Sequence, residues 1–288
     1  MIRSALFAAT SLILLAGCSN PPPSNSSTPD AAANSRSVTA PAAAPEAAPL
    51  CTDFGPQTPR DISSVAGTND DDFPLAPAYS ELNLCNIHTH TNAEHKGPGF
   101  SVSVNDGASG GYACNETTAL TESELAAPVV NEGAFKGVKP GDSIEVHWVH
   151  SSCDIQPGEG LGSCLSETCE DPLLRAEAQT FLVVNDSAAL NFNDFDYSGA
   201  AVNGLHQARS LPSGTGTPVV FRGSTTGPSY SESTCSPLKV TWSVRPQCAK
   251  LDIGSLNAWA ANGNVFNETK SHGVRQLVTE PALLSPIE

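Results

Sequence analysis

Leu84-Cys85-Asn86-Ile87-His88-Thr89-His90-Thr91 and Ile144-Glu145-Val146-His147-Trp148-Val149-His150 are the two stretches whose reading decides the fold. Both read as strand-like segments. Residues i and i+2 of a strand project from one face, so His88 and His90 point together. A third imidazole from a neighbouring strand completes three nitrogen ligands and leaves one position of a tetrahedral zinc open. Three protein ligands plus an open position is the ligand count of a catalytic zinc, whereas structural sites are closed by four. In the second stretch His147 shares its face with Glu145 and Val149, while His150 shares the opposite face with Val146 and Trp148. A regular strand therefore turns only one of the two toward the metal. His147 is the one expected, with Glu145 beside it to accept the hydrogen bond from its outer nitrogen, as metal-bound histidines require. The chemistry implied is zinc-assisted hydrolysis or hydration on a sheet.

Further strands are expected over 99–104, 178–184, 217–222 and 238–245. The run 178–184 is continuously apolar, as suits a central strand buried on both faces. Over 238–245, Val240, Trp242 and Val244 share one face and Thr241, Ser243 and Arg245 the other. Ser255 opens, and Gly263 closes, a short capped helix. Residues 151–172, rich in Gly, Cys and Ser, read as a disulfide-pinned loop. The fold class is mainly β (α+β): a single domain with a large, mostly antiparallel twisted sheet and short peripheral helices.

Residues 1–18 read as an exported leader, with Arg3 ahead of an apolar run, Ala5 to Leu15, too short for a membrane span. It closes on Leu15-Ala16-Gly17-Cys18, which resembles the lipobox of bacterial lipoproteins, where the cysteine is diacylated and becomes the mature N-terminus. Ser19 after it resembles the outer-membrane sorting pattern. The expected location is an outer-membrane-anchored lipoprotein facing the periplasm or the cell surface, with the lipid anchor at Cys18 its only membrane contact. Residues 19–50, nearly all Pro, Ala, Ser and Asn, cannot bury enough apolar surface to offset their ordering and read as a disordered tether. Residues 51–288 lack a second linker and read as one domain.

Eight cysteines remain beyond Cys18, and no C-x-x-C pair occurs among them. An even number in an exported chain implies up to four disulfides of unspecified pairing and an oxidising compartment. The net charge of −16 argues against nucleic acid and anionic headgroups as partners, since both need a basic footprint.

The motifs together carry a resemblance. His88-Thr89-His90-Thr91-Asn92-Ala93-Glu94-His95 resembles the H-x-H-x-x-x-E-H segment of alpha-class carbonic anhydrases, and Glu145-Val146-His147-Trp148-Val149-His150 their E-x-H-x-V-H segment. Gly223-Ser224-Thr225-Thr226-Gly227-Pro228, followed by Val240-Thr241-Trp242-Ser243-Val244, is similar to their G-S-x-T-T-P-P and V-T-W-x-V segments. Gln57-Thr58-Pro59-Arg60-Asp61-Ile62 echoes an early Q-S-P-x-D-I stretch. The closer resemblance is to the delta class, carried by Asn83 to His88, Ala93 to Lys96 and Val146 to Cys153, and it covers most of 51–288.

The resemblance implies an alpha-carbonic-anhydrase-like catalytic domain over 51–288, and reversible hydration of CO2 to bicarbonate and a proton through zinc-bound hydroxide. It implies His88, His90 and His147 as ligands, with Thr226 accepting a hydrogen bond from the hydroxide and Glu94 orienting that threonine. The register at Thr225 and Thr226 is open by one residue; Thr226 keeps Pro228 on the family's proline. Val149, Val240 and Trp242 would form the CO2 niche, and core packing is their alternative role. No histidine precedes His88, so the alpha-class proton-shuttle position has no counterpart. His206 or His272 could serve if near the cavity mouth, while His95 and His150 are expected to be structural or to support the ligands. Zn2+ is the expected metal, with Co2+ or Cd2+ compatible with the same imidazoles. The rival functions are a surface lipoprotein that scavenges zinc without catalysis and a zinc esterase. Oligomeric state is not legible.

Overall fold

The computed structural model describes residues 48–104, 110–128, 133–169 and 171–287, which belong to one folded unit, Ala47–Glu288. The expected leader, Cys18 and residues 19–47 of the tether lie outside the described residues. In chain order the strands are β1 (Asn83–Thr91), β2 (Val102–Ser103), β3 (Tyr112–Ala113), β4 (Ser143–Ser151), β5 (Leu174–Val184), β6 (Tyr197–Val202), β7 (Leu205–Ala208), β8 (Val219–Ser224), β9 (Lys239–Val244) and β10 (Ala249–Asp252). The α-helices are α1 (Glu122–Leu125) and α2 (Ile253–Ala261).

Six strands form the main sheet in the order β1-β4-β5-β9-β8, with β10 also on β5. The β1/β4, β4/β5 and β8/β9 pairs are antiparallel. The two pairs that β5 makes with β9 and β10 are parallel. One edge of β5 thus carries two strands in series: β9 on Arg175–Ala178 and β10 on Phe181–Val184. Between them Pro246 has no N–H to give to a ladder, and Gln179 bridges the gap by donating to the Gln247 carbonyl at 2.8 Å.

The sheet buries both faces. On one, Ile87, Val146, Trp148, Phe181 and Val183 pack against Leu256 and Trp259 of α2; each such side chain contributes about 1.5–3 kcal/mol by leaving water. On the other, Val149, Ala176, Ala178, Phe221, Val240 and Trp242 form a second apolar layer. Cys85 is an extra residue in β1, because the register jumps between Leu84 and Asn86. This bulge lets Leu84 and Ile87, three apart, share one core while turning Asn86, His88 and His90 to the opposite face.

The eight cysteines form four disulfides: Cys51–Cys235, Cys85–Cys164, Cys114–Cys248 and Cys153–Cys169. Two of them pin the loop over 151–172, as expected. Three element expectations shift. The central strand begins at Leu174, because Arg175 and Glu177 hide an ion pair: Arg175 Nε donates to Glu177 at 2.7 Å and Arg245 reaches the same carboxylate at 3.1 Å. The strand expected over 99–104 shrinks to Val102–Ser103, since Gly97 and Phe100 exchange backbone hydrogen bonds and Gly99 donates to Pro246. The helix starts at Ile253, not after Ser255: Asp252 is its N-cap, accepting from the Ser255 amide at 2.9 Å.

Candidate metal centre

His88 and His147 are direct cross-strand partners in the β1/β4 register, as are His90 and Glu145. Pairing of residues on one face brings their side chains together. The three imidazoles form a triangle, with ring centroids 5.1 Å apart for His88 and His90, 5.0 Å for His88 and His147, and 4.7 Å for His90 and His147. Each contributes one nitrogen to a group whose members all lie within 4.8 Å of one another. His90 and His147 are buried and His88 nearly so.

The outer nitrogens set the tautomers. Asn86 donates its amide to the Gly158 carbonyl at 2.9 Å, so its oxygen faces His88 Nδ1 at 2.7 Å and that nitrogen must donate. His90 Nδ1 faces the Gly273 carbonyl at 3.2 Å, an acceptor only. His147 Nε2 faces Glu145 Oε1 at 3.1 Å. Burial raises the Glu145 carboxyl, but the His95 and His147 imidazoles outweigh it and hold the group well below the usual carboxylate range. Glu145 is therefore an ionised acceptor. Three ring protons point outward, and the lone pairs of His88 Nε2, His90 Nε2 and His147 Nδ1 are left facing in.

Those lone pairs have nothing else to bind. His90 Nε2 is buried with no partner among the described residues. His88 Nε2 and His147 Nδ1 face each other at 3.2 Å, two acceptors opposed, which only a shared cation makes favourable. The distance matches the edge of about 3.3 Å that two nitrogens share when each is ~2.0–2.1 Å from a tetrahedral zinc. Burial first, then the neighbouring imidazoles, push His88 well below its ordinary value. Burial likewise lowers His90. Neutral imidazoles are the form that binds metal. The residues fit a divalent ion.

A second group, His95, Glu145 and His147, is a hydrogen-bond network instead. Glu145 accepts from His95 Nδ1 at 2.9 Å, from the Glu94 amide at 2.6 Å and from the His95 amide at 3.1 Å, besides His147. His95 packs on Trp242, centroids 4.7 Å apart. His150 lies on the far face against Tyr79, where burial pushes it down to about 3.

Glu94 is buried. Its Oε1 accepts from the Arg275 amide at 3.0 Å, and its Oε2 has no partner among the described residues. No hydrogen bond joins it to Thr226, whose hydroxyl likewise has no partner among the described residues. Thr225 differs: its hydroxyl is bound to Ser236 Oγ. Val149, Val240 and Trp242 line, with His88, His147 and Thr226, a niche of about 20 Å³, room for one water-sized molecule. On the other side of the histidines a polar mouth of about 460 Å³ is lined by His88, His90, Thr226, Glu268, Lys270 and His272.

The sequence pattern of the delta carbonic anhydrases matches residues 79–255, more than half of the 288-residue chain and a span that holds the three histidines with Asn86, Glu94, Glu145 and Thr226, while Glu268, Lys270, His272, Gly273 and Arg275 lie beyond it. The chain belongs to the delta carbonic anhydrase family. No match exists among curated protein sequences. The delta-class resemblance of the motifs is thereby borne out.

Several working parts of this delta carbonic anhydrase-family site were not foreseen from the residues. Asn86 was within reach, one strand period before His88. The Gly273 carbonyl and Glu268, which accepts from Thr89 N and Oγ1 at 2.9 Å and from His272 Nε2 at 2.9 Å, come from a segment some 180 residues away. Of the two histidines considered for the mouth, His272 lines it, while His206 bonds the Tyr197 hydroxyl at 2.7 Å elsewhere.

Proposed function

We propose that this chain is a zinc-dependent carbonic anhydrase that interconverts CO2 and water with bicarbonate and a proton. The observation that carries the reading is the convergence of three uncommitted imidazole lone pairs beside an apolar niche of single-molecule size. His88 Nε2, His90 Nε2 and His147 Nδ1 would hold the ion, and Co2+ or Cd2+ suits the same donors. When bound there, zinc supplies Lewis-acid chemistry that makes water a nucleophile near neutral pH.

The chain's own residues do the rest. Asn86, the Gly273 carbonyl and Glu145 hold the imidazoles in the required tautomers. Val149, Val240 and Trp242 exclude water and hold a small apolar substrate against the reacting oxygen, a positional contribution. Thr226, whose side chain lines both the niche and the mouth, orients that oxygen by a hydrogen bond. Bicarbonate and the proton leave through the polar mouth, where charge stays solvated. The four disulfides support an oxidising, extracytoplasmic location, consistent with a lipid anchor at Cys18.

Stopped-flow CO2 hydration on the purified domain, 51–288, with metal content measured on the same sample, tests the reading. Fast, chelator-sensitive hydration with one zinc per chain is expected, lost with the metal in His147→Ala and retained with it in His150→Ala. One zinc per chain without hydration would instead favour a metal-binding lipoprotein.

A further inference from the structure

The apolar niche has a second wall beyond the metal centre. Leu165, Leu174 and Leu238 line the niche and also a surface cleft of about 510 Å³ whose far side includes Phe73, Pro172 and Lys239. The niche shares His88, Leu161 and Thr226 with the polar mouth. No described residue lines both the mouth and this cleft. The niche therefore lies between two openings, and the cleft, which also holds Ser166, Asp171 and Thr241 at its rim, is set apart from the mouth by the leucine partition between it and the niche.

The partition toward the cleft presents three leucines and no polar side chain among its shared residues. A neutral apolar solute crosses such a wall without losing hydrogen bonds, whereas an anion would give up its hydration with nothing in exchange. Leu165 and Leu238 are 42% and 38% exposed, and exposed side chains change rotamer in picoseconds to nanoseconds. Their backbones are held. Leu165 follows Cys164, which is bonded to Cys85 of β1, and its loop is tied again by Cys153–Cys169. Leu174 opens β5, and Leu238 immediately precedes β9. Mobile side chains on fixed supports admit small molecules without loosening the wall.

We propose that Leu165, Leu174 and Leu238 form a second, apolar doorway, by which a small neutral substrate reaches the niche from the Phe73–Lys239 cleft while charged species use the polar mouth. The assignment of CO2 to that doorway rests on the function proposed above. Filling it with Leu165→Phe/Leu238→Phe, both at part-exposed positions, tests it in the zinc-loaded protein. The variant should lose kcat/KM for CO2 hydration severalfold and for bicarbonate dehydration by the same factor, since detailed balance ties the two. Inhibition by thiocyanate, an anion entering by the mouth, should not change.

A second readout is independent of catalysis. Trp242 lines the niche, so quenching of its fluorescence by dissolved O2, taken as the difference from Trp242→Phe, should fall severalfold in the filled variant, while iodide quenching stays the same. Unchanged O2 quenching would overturn the doorway, as would thiocyanate affinity falling in step with kcat/KM. Reduced O2 quenching in a protein that hydrates no CO2 would uphold the doorway and sink the functional reading alone.

Discussion

Asn86 shows how much of this site is decided by single atoms. Its amide is committed to Gly158, so only its oxygen is left for His88, and the proton on that ring has one place to go. The same logic separates two adjacent threonines. Thr225 is buried and its hydroxyl is spent on Ser236, whereas Thr226 lines both niche and mouth with its hydroxyl uncommitted. Thr226→Ala should therefore keep one zinc per chain and lower the hydration rate by roughly 10²-fold, the loss expected when one preorganised hydrogen bond to the reacting oxygen disappears. Thr225→Ala should do the reverse, costing about 1 kcal/mol of stability for a lost buried hydrogen bond with near-normal turnover. Stopped-flow rates and urea melts of both variants check this, and the opposite pattern would move the orienting role to Thr225.

At the level of elements, legibility followed periodicity. β4 was readable because it keeps one side-chain period over nine residues, as β1 does beyond its bulge, from Asn86 to Thr91, and the same period decided between His147 and His150. Where tertiary partners override the pattern, reading stopped short, as with the charged first half of β5. The β6/β7 hairpin was passed over although Asn203-Gly204 joins it with φ of 53° and 86°, the left-handed pair that a two-residue turn needs; its strands are part-exposed and weakly alternating. The helix start was misplaced because Asp252 and Ser255 are both good caps and only geometry shows which amide is accepted. The disulfide pairing had no sequence signal at all.

That pairing carries its own expectation. Cys85–Cys164 ties the bulge of β1 to the loop that supplies Leu161 and Leu165 to the niche wall. Replacing both cysteines by serine should cost about 2–5 kcal/mol of stability and raise KM for CO2 while the zinc content stays at one per chain. Denaturant melts and steady-state kinetics of the double variant would reveal it; unchanged KM would mean that the wall holds its shape without the bridge.

Across the whole molecule, distant segments close over the sheet through a few hydrogen bonds of charged side chains. Glu268 and His272 cap β1, Arg275 donates to Gln57, Thr58 and Ser231, and Glu232 accepts from the Thr279 and Glu280 amides at 2.7 and 3.0 Å. Burial raises the Glu232 carboxyl, but those hydrogen bonds and the nearby Arg275 charge outweigh it, so its folded value lies below the ordinary 4.5. Asp61 behaves alike: burial opposes, yet the hydrogen bond and charge of Lys96 hold it below 3.8. A group depressed in the folded state binds more protons when unfolded across the interval between the two values, so stability rises with pH there. The contribution of Glu232 is fully present above pH 4.5 and is lost as pH falls through its lower, folded value. Urea melts across the acid range should therefore show wild-type stability declining from about pH 4.5 downward, as carboxylates that are paired in the fold take up protons. Glu232→Gln should be less stable than wild type at pH 6 and converge on it at the acid end, because the amide cannot titrate. A variant whose stability runs parallel to wild type at every pH would show that the anchoring of the C-terminal segment does not depend on this carboxylate's charge.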